Sequence, residues 1–249
     1  MSVYNMVAQG SGGFTPSGTY SISANGVYDV RSYASADVAI PDDALSIIER
    51  TISSTYENSL ATVVGRYAFC RCDSLEAVSM PNVLTISNNA FYACSNLREA
   101  NFPSADYLGE SAFGECELLE SVNIPLVGRI RNKAFAYCYS LNNVVCSTAS
   151  RVSTGAFAGC SALSTLSFPK ASTIEPLAFD GCRKLLSFYL MGSAVATLSN
   201  INAFGSTPIS NYTTYTSGVN GSIFVPSSLY NTYIAAANWS DYAARIVSM

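Results

Sequence analysis

An Ala-Phe dipeptide recurs at a constant interval of 22 residues along the middle of the chain. Its copies begin at residues 68, 90, 112, 134, 156 and 178. In each copy a Cys follows the Phe by three residues, and a Leu follows the Cys by three more. Such regularity is typical of a solenoid, in which each repeat forms one coil that stacks on the next.

The columns of like residues predict the core of this solenoid. A single coil cannot bury its own apolar edge, whereas stacked coils bury a continuous core in which each side chain packs on its counterpart one coil away. The Phe column contains Phe69, Phe91, Phe113, Phe135, Phe157 and Phe179. The Cys column contains Cys72, Cys94, Cys116, Cys138, Cys160 and Cys182.

The segment from Leu119 to Pro125 predicts a short strand, and each coil has an equivalent segment. Leu119, Val122 and Ile124 face the core, and Pro125 stops the strand because proline has no amide hydrogen for the ladder. We therefore predict a repeat solenoid of six 22-residue coils with short parallel strands.

The ends of a solenoid need caps that cover their apolar faces. Before the first coil, Asp42 or Asp43 can cap a short apolar helix. After the last coil, Pro226 ends a strand, and one of the serines that follow it can cap a second helix. Trp239 is expected to anchor this cap in the core, with stacking on a sugar ring as the alternative role.

Residues 17–41 have the pattern of a small β module. Two alternating stretches flank Asn25 and Gly26, a strong hairpin-turn signal, and Val38 and Ile40 predict a third short strand. Gly and Ser enrichment near the start predicts a linker, or an anchoring tail that orders on docking. The predicted organisation is a linker or tail (1–16), a β hairpin module (17–41), an N-terminal cap (42–66), the solenoid (67–191) and a C-terminal cap (192–249).

Composition argues against several classes of function. The chain has no His, which removes imidazole-activated nucleophiles, His-ligated zinc and the commonest general base, and no carboxylate pair stands out. We therefore expect no enzymatic activity and no cofactor. The formal net charge of -4 argues against a nucleic-acid partner. No run of about 18 apolar residues is present, which argues against membrane insertion.

The stacked Cys residues can be thiols, disulfides or metal ligands. Neighbouring coils lie about 4.8 Å apart, and stacked Cβ atoms that point in one direction keep the same spacing. A disulfide needs a Cβ separation of about 3.5–4.5 Å. We therefore predict buried free thiols that act as small apolar side chains, with disulfides as the alternative. Structural zinc is not expected, because Cys70 and Cys72 have no second pair at zinc spacing.

Outward strand positions form a candidate binding face that is small, polar and nearly uncharged. Such a face can hydrogen-bond a glycan or an extended peptide, and a plain solvated sheet is the alternative. Its residues are Glu99, Asn101, Ser121, Asn123, Asn143, Thr165, Ser167 and Tyr189. The loop beside the Cys column adds Tyr92, Tyr137 and Tyr139, because an exposed Tyr combines a stacking ring with a polar tip.

The arrangement Ala-Phe-x-x-Cys-x-x-Leu-x-x-Val-x-x-Pro resembles the BspA-like family of bacterial leucine-rich repeats, over residues 42–249. The resemblance implies a leucine-rich repeat solenoid, in a family of surface adhesion or interaction proteins rather than enzymes. Residues 17–41 are similar instead to a small β element in tail and minor structural proteins of phages that infect Gram-positive gut bacteria.

Two function hypotheses follow from these resemblances. In the first, a virion-associated phage tail protein displays the solenoid for host-surface recognition, contacts other tail proteins through its N-terminal segment and is present in several copies per particle. In the second, the chain is a bacterial cell-surface adhesin or protein-interaction module. In both, the expected partner is a host surface protein or a glycan met on the extracellular side.

Overall fold

The computed structural model describes residues 38–40, 54–210 and 220–249. These residues wind into a parallel β-solenoid of about eight turns, which confirms the predicted fold class. The predicted coils are its central turns, and further turns extend it at both ends. The predicted hairpin turn at Asn25 and the helix after Asp42 lie outside the described residues.

The predicted strand of each coil contributes to what we call the first ladder. All its pairs are parallel, and in the central coils each residue lies beside the one 22 positions later, as Ser121 lies beside Asn143. The first ladder contains β2 (Thr55–Glu57), β4 (Ala77–Ser79), β6 (Glu99–Asn101), β8 (Ser121–Asn123), β10 (Asn143–Val145), β12 (Thr165–Phe168), β14 (Ser187–Leu190), β16 (Ser222–Val225) and β17 (Ile246–Ser248). Its hydrogen bonding is interrupted between β10 and β12.

A second ladder runs through the apolar residue that lies four positions before each Ala-Phe. It contains β1 (Val38–Ile40), β3 (Ala61–Val64), β5 (Thr85–Ile86), β7 (Tyr107–Leu108), β9 (Arg129–Ile130), β11 (Arg151–Val152), β13 (Thr173–Ile174) and β15 (Thr197–Leu198). Apart from β1, these strands were not predicted from the sequence, because most are two residues long and show no alternating pattern. This ladder is interrupted between β7 and β9.

The solenoid is longer at both ends than the predicted boundaries. β1, which the sequence analysis assigned to the hairpin module, pairs in parallel with β3 and extends the second ladder. Residues 55–64 of the predicted N-terminal cap supply β2 and β3, which continue the register of the later coils. β15, β16 and β17 likewise lie in the predicted C-terminal cap. Backbone pairing needs only an extended segment in place, so these strands form beyond the predicted boundaries of the repeat.

The C-terminal cap closes on Trp239, which is almost completely buried. Its Nε1 donates to the carbonyl oxygen of Ala196 at 2.6 Å, and its ring centroid lies 5.4 Å from that of Tyr233. A 3-10 turn at Ser227–Leu229 leads into α1 (Tyr230–Ala235). The predicted serine cap is wrong, because neither helix start receives a side-chain hydrogen bond.

The Phe column forms one continuous stack through the core, and its rings are fully buried. Successive rings are nearly parallel, with centroid distances from 4.8 Å (Phe69 to Phe91) to 5.7 Å (Phe157 to Phe179). Each such pair stabilises the fold by about 0.5–1.5 kcal/mol beyond its buried area. The stack continues past the repeats, since Phe204 lies 5.2 Å from Phe179.

The Cys column is buried beside the Phe stack, and all eight Cys of the chain are free thiols. Five thiols of the column, from Cys94 to Cys182, also make a hydrogen bond that was not predicted from the sequence. Cys94 Sγ donates to the carbonyl oxygen of Phe69 at 2.9 Å, and the Cys of each following coil repeats this bond at 3.0 to 3.2 Å. Cys therefore suits a position that needs a small apolar side chain and a weak donor at once.

We predict that a reducing agent leaves the melting temperature unchanged, because no disulfide contributes to stability. Alkylation of the unfolded chain without prior reduction should then modify all eight Cys, as counted by intact mass spectrometry. A reduced and alkylated sample is the control. Two or fewer modified Cys in the unreduced sample would show that the column is oxidised.

Two positions in most coils have a left-handed backbone, one just before Ala-Phe and one shortly after it. Only Gly155, Gly159 and Gly181 meet this need with glycine, while Tyr137 (φ 64) and Leu177 (φ 57) are among the other residues there. For a residue other than glycine, this conformation costs about 1–2 kcal/mol of conformational free energy. Hydrogen bonds between coils offset the cost, as where the Tyr137 amide donates to the next coil at 2.7 Å.

Candidate binding face

A shallow groove crosses β6, β8 and β10 on the outward side of the first ladder, with a volume of about 130 Å³. It brings together part of the predicted binding face, namely Glu99, Asn101, Ser121, Asn123 and Asn143. Ala100, Val122 and Val145 complete its lining. The predicted polar residues reach the groove because they alternate with the core-facing residues along each strand.

A chain of side-chain hydrogen bonds crosses the groove. Asn123 Nδ2 donates to Asn101 Oδ1 at 2.8 Å, and Asn101 Nδ2 donates to Ser79 Oγ at 3.1 Å. This row of side-chain hydrogen bonds ends at Asn123, because the next coil has Val145 in the equivalent position. Within the described residues, Asn123 Oδ1 and the Asn143 side chain form no hydrogen bond. These two groups are therefore available to a ligand.

The groove is nearly neutral, and Glu99 is the charged residue in its lining. Beside it, Arg98 Nη1 and Glu120 Oε1 pair at 2.8 Å across neighbouring coils, with both side chains half exposed. Exposed pairs of this kind contribute about 0–1 kcal/mol. A surface with such polarity suits a neutral hydrogen-bonding ligand, such as a peptide main chain or a sugar, better than a phosphate.

The rest of the predicted strand face lies beyond the interruption in the first ladder. Thr165 and Ser167 lie on β12 and Tyr189 lies on β14, so none of the three lines the groove. Tyr189 stacks on Phe224 of β16, with ring centroids 4.6 Å apart and planes 12° apart. Phe224 was not predicted as part of this face, because it lies outside the repeats in an outward position.

The three predicted tyrosines in the loop beside the Cys column, called the Cys loop below, lie in two different environments. Tyr137 and Tyr139 are about half exposed, and their ring centroids lie 6.2 Å apart. Neither hydroxyl is hydrogen-bonded within the described residues. Tyr92 instead hydrogen-bonds Glu115, which together with burial raises the pKa of the Tyr92 hydroxyl to about 12. The two exposed rings are therefore the freer candidates for a ligand.

A charged cluster on the second ladder was missed by the sequence analysis. Arg151 Nε lies 2.6 Å from Glu175 Oε1, Arg129 Nη2 lies 3.7 Å from the same oxygen, and the Thr154 amide donates to Glu175 Oε2 at 2.9 Å. Burial acts to raise the pKa of the Glu175 carboxyl, but the hydrogen bonds from Arg151 and Thr154 outweigh it and hold the pKa below its usual value. The carboxylate thus ties three coils together.

Metal-binding clusters and membrane-spanning helices are both absent from residues 38–40, 54–210 and 220–249. In those ranges no three or more His, Cys, Asp and Glu side chains are grouped so that they could hold a metal ion. No helix in the same ranges has the length and apolar character needed to cross a membrane.

Comparisons with known proteins identify the family of this fold. The family model described as BspA type leucine rich repeat region (6 copies) matches residues 62–186 and 107–229. A solved structure of a leucine rich cell surface protein from Faecalibacterium prausnitzii is similar over 86% of this chain and 70% of that chain, at 19% identity with a TM-score of 0.59. A leucine-rich repeat protein from Bacteroides ovatus is similar over 78% of this chain and 68% of that chain, at 14% identity with a TM-score of 0.32.

No curated protein matches the sequence significantly. The family matches together span more than half of the chain, and they coincide with the stacked coils that carry the Phe and Cys columns. The chain therefore belongs to the family of BspA-type leucine-rich repeats.

Proposed function

We propose that this chain is a non-enzymatic adhesion or protein-interaction module displayed at a bacterial cell surface. The observation that carries the proposal is the groove on the first ladder, in which unpaired side-chain polar groups lie on a rigid, hydrogen-bonded sheet. A preformed polar surface of this kind binds without paying the ordering cost of a flexible loop. The family membership agrees with a role in adhesion or interaction.

The cell-surface setting is better supported than the phage tail. The hypothesis of a virion-associated protein rests on residues 17–41, which lie outside the described residues except for β1. The family match begins at residue 62 and gives no support to a tail-protein segment. In either setting the proposed partner is a host surface protein or a glycan, and several copies on one surface would raise avidity by about 10²–10⁴.

Substitutions in the groove test this proposal on immobilised arrays of cell-wall glycans and of extended peptides. We expect the Asn123→Ala, Asn143→Ala double variant to weaken binding about tenfold or more, because each lost hydrogen bond is worth about 0.5–1.5 kcal/mol. The matched control is Thr173→Ala, whose side chain lies outward on the second ladder. It should bind as the unchanged chain does.

A parallel variant separates the groove from the loop tyrosines. Replacing Tyr137 and Tyr139 together by Ala should leave thermal stability nearly unchanged, because both side chains lie outside the core. Loss of binding in this variant alone would move the site from the groove to the Cys loop. Unchanged binding in both double variants would contradict the proposed function.

A further inference from the structure

The first ladder opens into a slot between β10 and β12. β10 is hydrogen-bonded to β8 on one side, but it has no bonded neighbour on the side of β12. Most Cα–Cα distances between β10 and β12 exceed 8 Å, whereas hydrogen-bonded neighbours lie about 4.8 Å apart. The slot therefore separates two strands that the repeat would otherwise join.

The opening is local, because the same two coils stay joined elsewhere. On the side of the coils that carries the Ala-Phe dipeptides, the Phe135 amide donates to the carbonyl oxygen of Ala156 at 2.8 Å. The Tyr137 amide donates to the carbonyl oxygen of Ala158 at 2.7 Å. On the second ladder, β9 and β11 remain paired in the regular register. The slot is thus an indentation in one side of two coils that stay joined on their other sides.

A change of residues at the corner after β10 accounts for the slot. In the preceding coils, the amide at this corner donates a hydrogen bond to the next coil. An example is the Ile124 amide, which donates to the carbonyl oxygen of Val145 at 2.9 Å. No such bond joins Cys146 to Ser167 in this described part of the chain. Instead, the Thr148 amide and Thr148 Oγ1 both donate to the carbonyl oxygen of Pro125 in the preceding coil, at 3.2 and 2.9 Å. These two bonds hold the corner towards the preceding coil.

The slot exposes both backbone groups and apolar surface. Val144 is partly exposed, whereas its equivalents Val122 and Leu166 are only 2% and 3% exposed. In a regular ladder the Val144 amide and carbonyl would bond to the following strand, and here they have no strand partner. Backbone groups left without partners are costly unless water or another chain satisfies them.

We propose that the slot binds an extended peptide of a partner protein, which adds to the edge of β10 as a parallel strand. A polypeptide main chain supplies amides and carbonyls at the alternating spacing that the β10 edge requires, and a glycan does not. Apolar side chains at alternate positions of the peptide would cover Val144, and the others would lie beside Asn143 in the groove. This inference rests on the proposed binding function and names its ligand as a peptide.

Amide hydrogen exchange of the full-length chain, resolved by NMR, tests the first step. We expect the Val144 amide to exchange at least about tenfold faster than the Val122 amide, which occupies the same position in a bonded coil. Equal protection of the two amides would show that the ladder is closed and would overturn the inference.

A peptide that copies residues 161–169, Ser-Ala-Leu-Ser-Thr-Leu-Ser-Phe-Pro, is the probe for the second step. It carries the strand that follows β10 in the repeat, so it has the apolar alternation that the slot should accept. We expect it to slow exchange at Val144 at least tenfold. The same peptide, N-methylated at the alternate amides that face β10, is the matched control and should have no effect. A slowing by neither peptide, or by both equally, overturns the inference.

The outcomes separate this inference from the proposed function. If the groove variants lose binding to the arrays but the probe peptide leaves Val144 unprotected, the groove function stands and the peptide slot is rejected. If the probe protects Val144 while the groove variants bind the arrays normally, the slot stands and the groove is rejected.

Discussion

Replacing Phe113 by alanine is expected to lower the free energy of unfolding by about 3–5 kcal/mol. The ring is fully buried and lies in the middle of the Phe stack, 5.0 Å from Phe91 and 5.6 Å from Phe135. Its removal leaves a cavity and breaks two stacking contacts, and the coils on either side are held too firmly by hydrogen bonds to collapse into the space. Urea unfolding followed by circular dichroism measures the loss.

Phe135→Ala should behave in the same way, because it holds the equivalent place one coil later. The control is Leu126→Ala, which removes an apolar side chain that is 50% exposed. That variant should stay within about 0.5 kcal/mol of the unchanged chain. A loss under about 1 kcal/mol for both Phe variants would be incompatible with a packed Phe column, since such removals cost about 3–5 kcal/mol.

Alkaline pH is expected to destabilise this protein strongly, through its buried thiols. Burial raises the pKa of the Cys138 thiol well above its usual value and raises that of Cys146 to about 12. Burial raises the thiol pKa in the same direction at Cys72, Cys94, Cys116, Cys160 and Cys182. In the unfolded chain these thiols ionise near their ordinary pKa of about 8.5.

The sign of the effect follows from proton binding. Above about pH 8.5 the folded chain keeps thiol protons that the unfolded chain has lost. Stability is therefore fully present below that pH and falls as pH rises towards the folded pKa values. Each thiol shifts the folding equilibrium about tenfold per pH unit, so several thiols together remove several kcal/mol by about pH 10.

Urea unfolding at a series of pH values between 7 and 10 measures this loss. Cys138→Ala is the matched variant, because it removes one titrating thiol from the middle of the column. The slope of its free energy of unfolding against pH should be smaller than that of the unchanged chain. The difference should correspond to about one proton fewer released on unfolding. A free energy of unfolding that stays constant from pH 8 to pH 10 would show that the thiols are not buried in the folded state.

The interruption between β10 and β12 shows how a regular repeat can acquire a special site. The Phe and Cys columns run through it unbroken, so the core keeps its packing. The corner that normally carries an apolar residue and Pro carries Cys146 and Ser147 instead. The change is confined to the ladder edge, where losing hydrogen bonds costs less than losing core contacts.

The fold class and the core were predictable from residue types alone. A 22-residue period brings Phe113 and Phe135 to the same place on successive coils, so their packing depends only on the period and on the chemistry of one column. The same reasoning placed Asn101 and Asn123 on the outward side of neighbouring strands, because side chains alternate along a strand. The repeat period and the alternation along each strand were enough to predict these positions, without any distance between residues far apart in the sequence.

The slot, the amide chain in the groove and the true ends of the solenoid were decided only by the tertiary structure. Each depends on distances between groups on different coils: β1 joins β3, Asn123 reaches Asn101, and Thr148 bonds back to Pro125. Main-chain amides and carbonyls are the same at every residue, so the sequence does not show which of them lack partners. A backbone position becomes a binding edge only when the neighbouring strand lies too far away to pair with it.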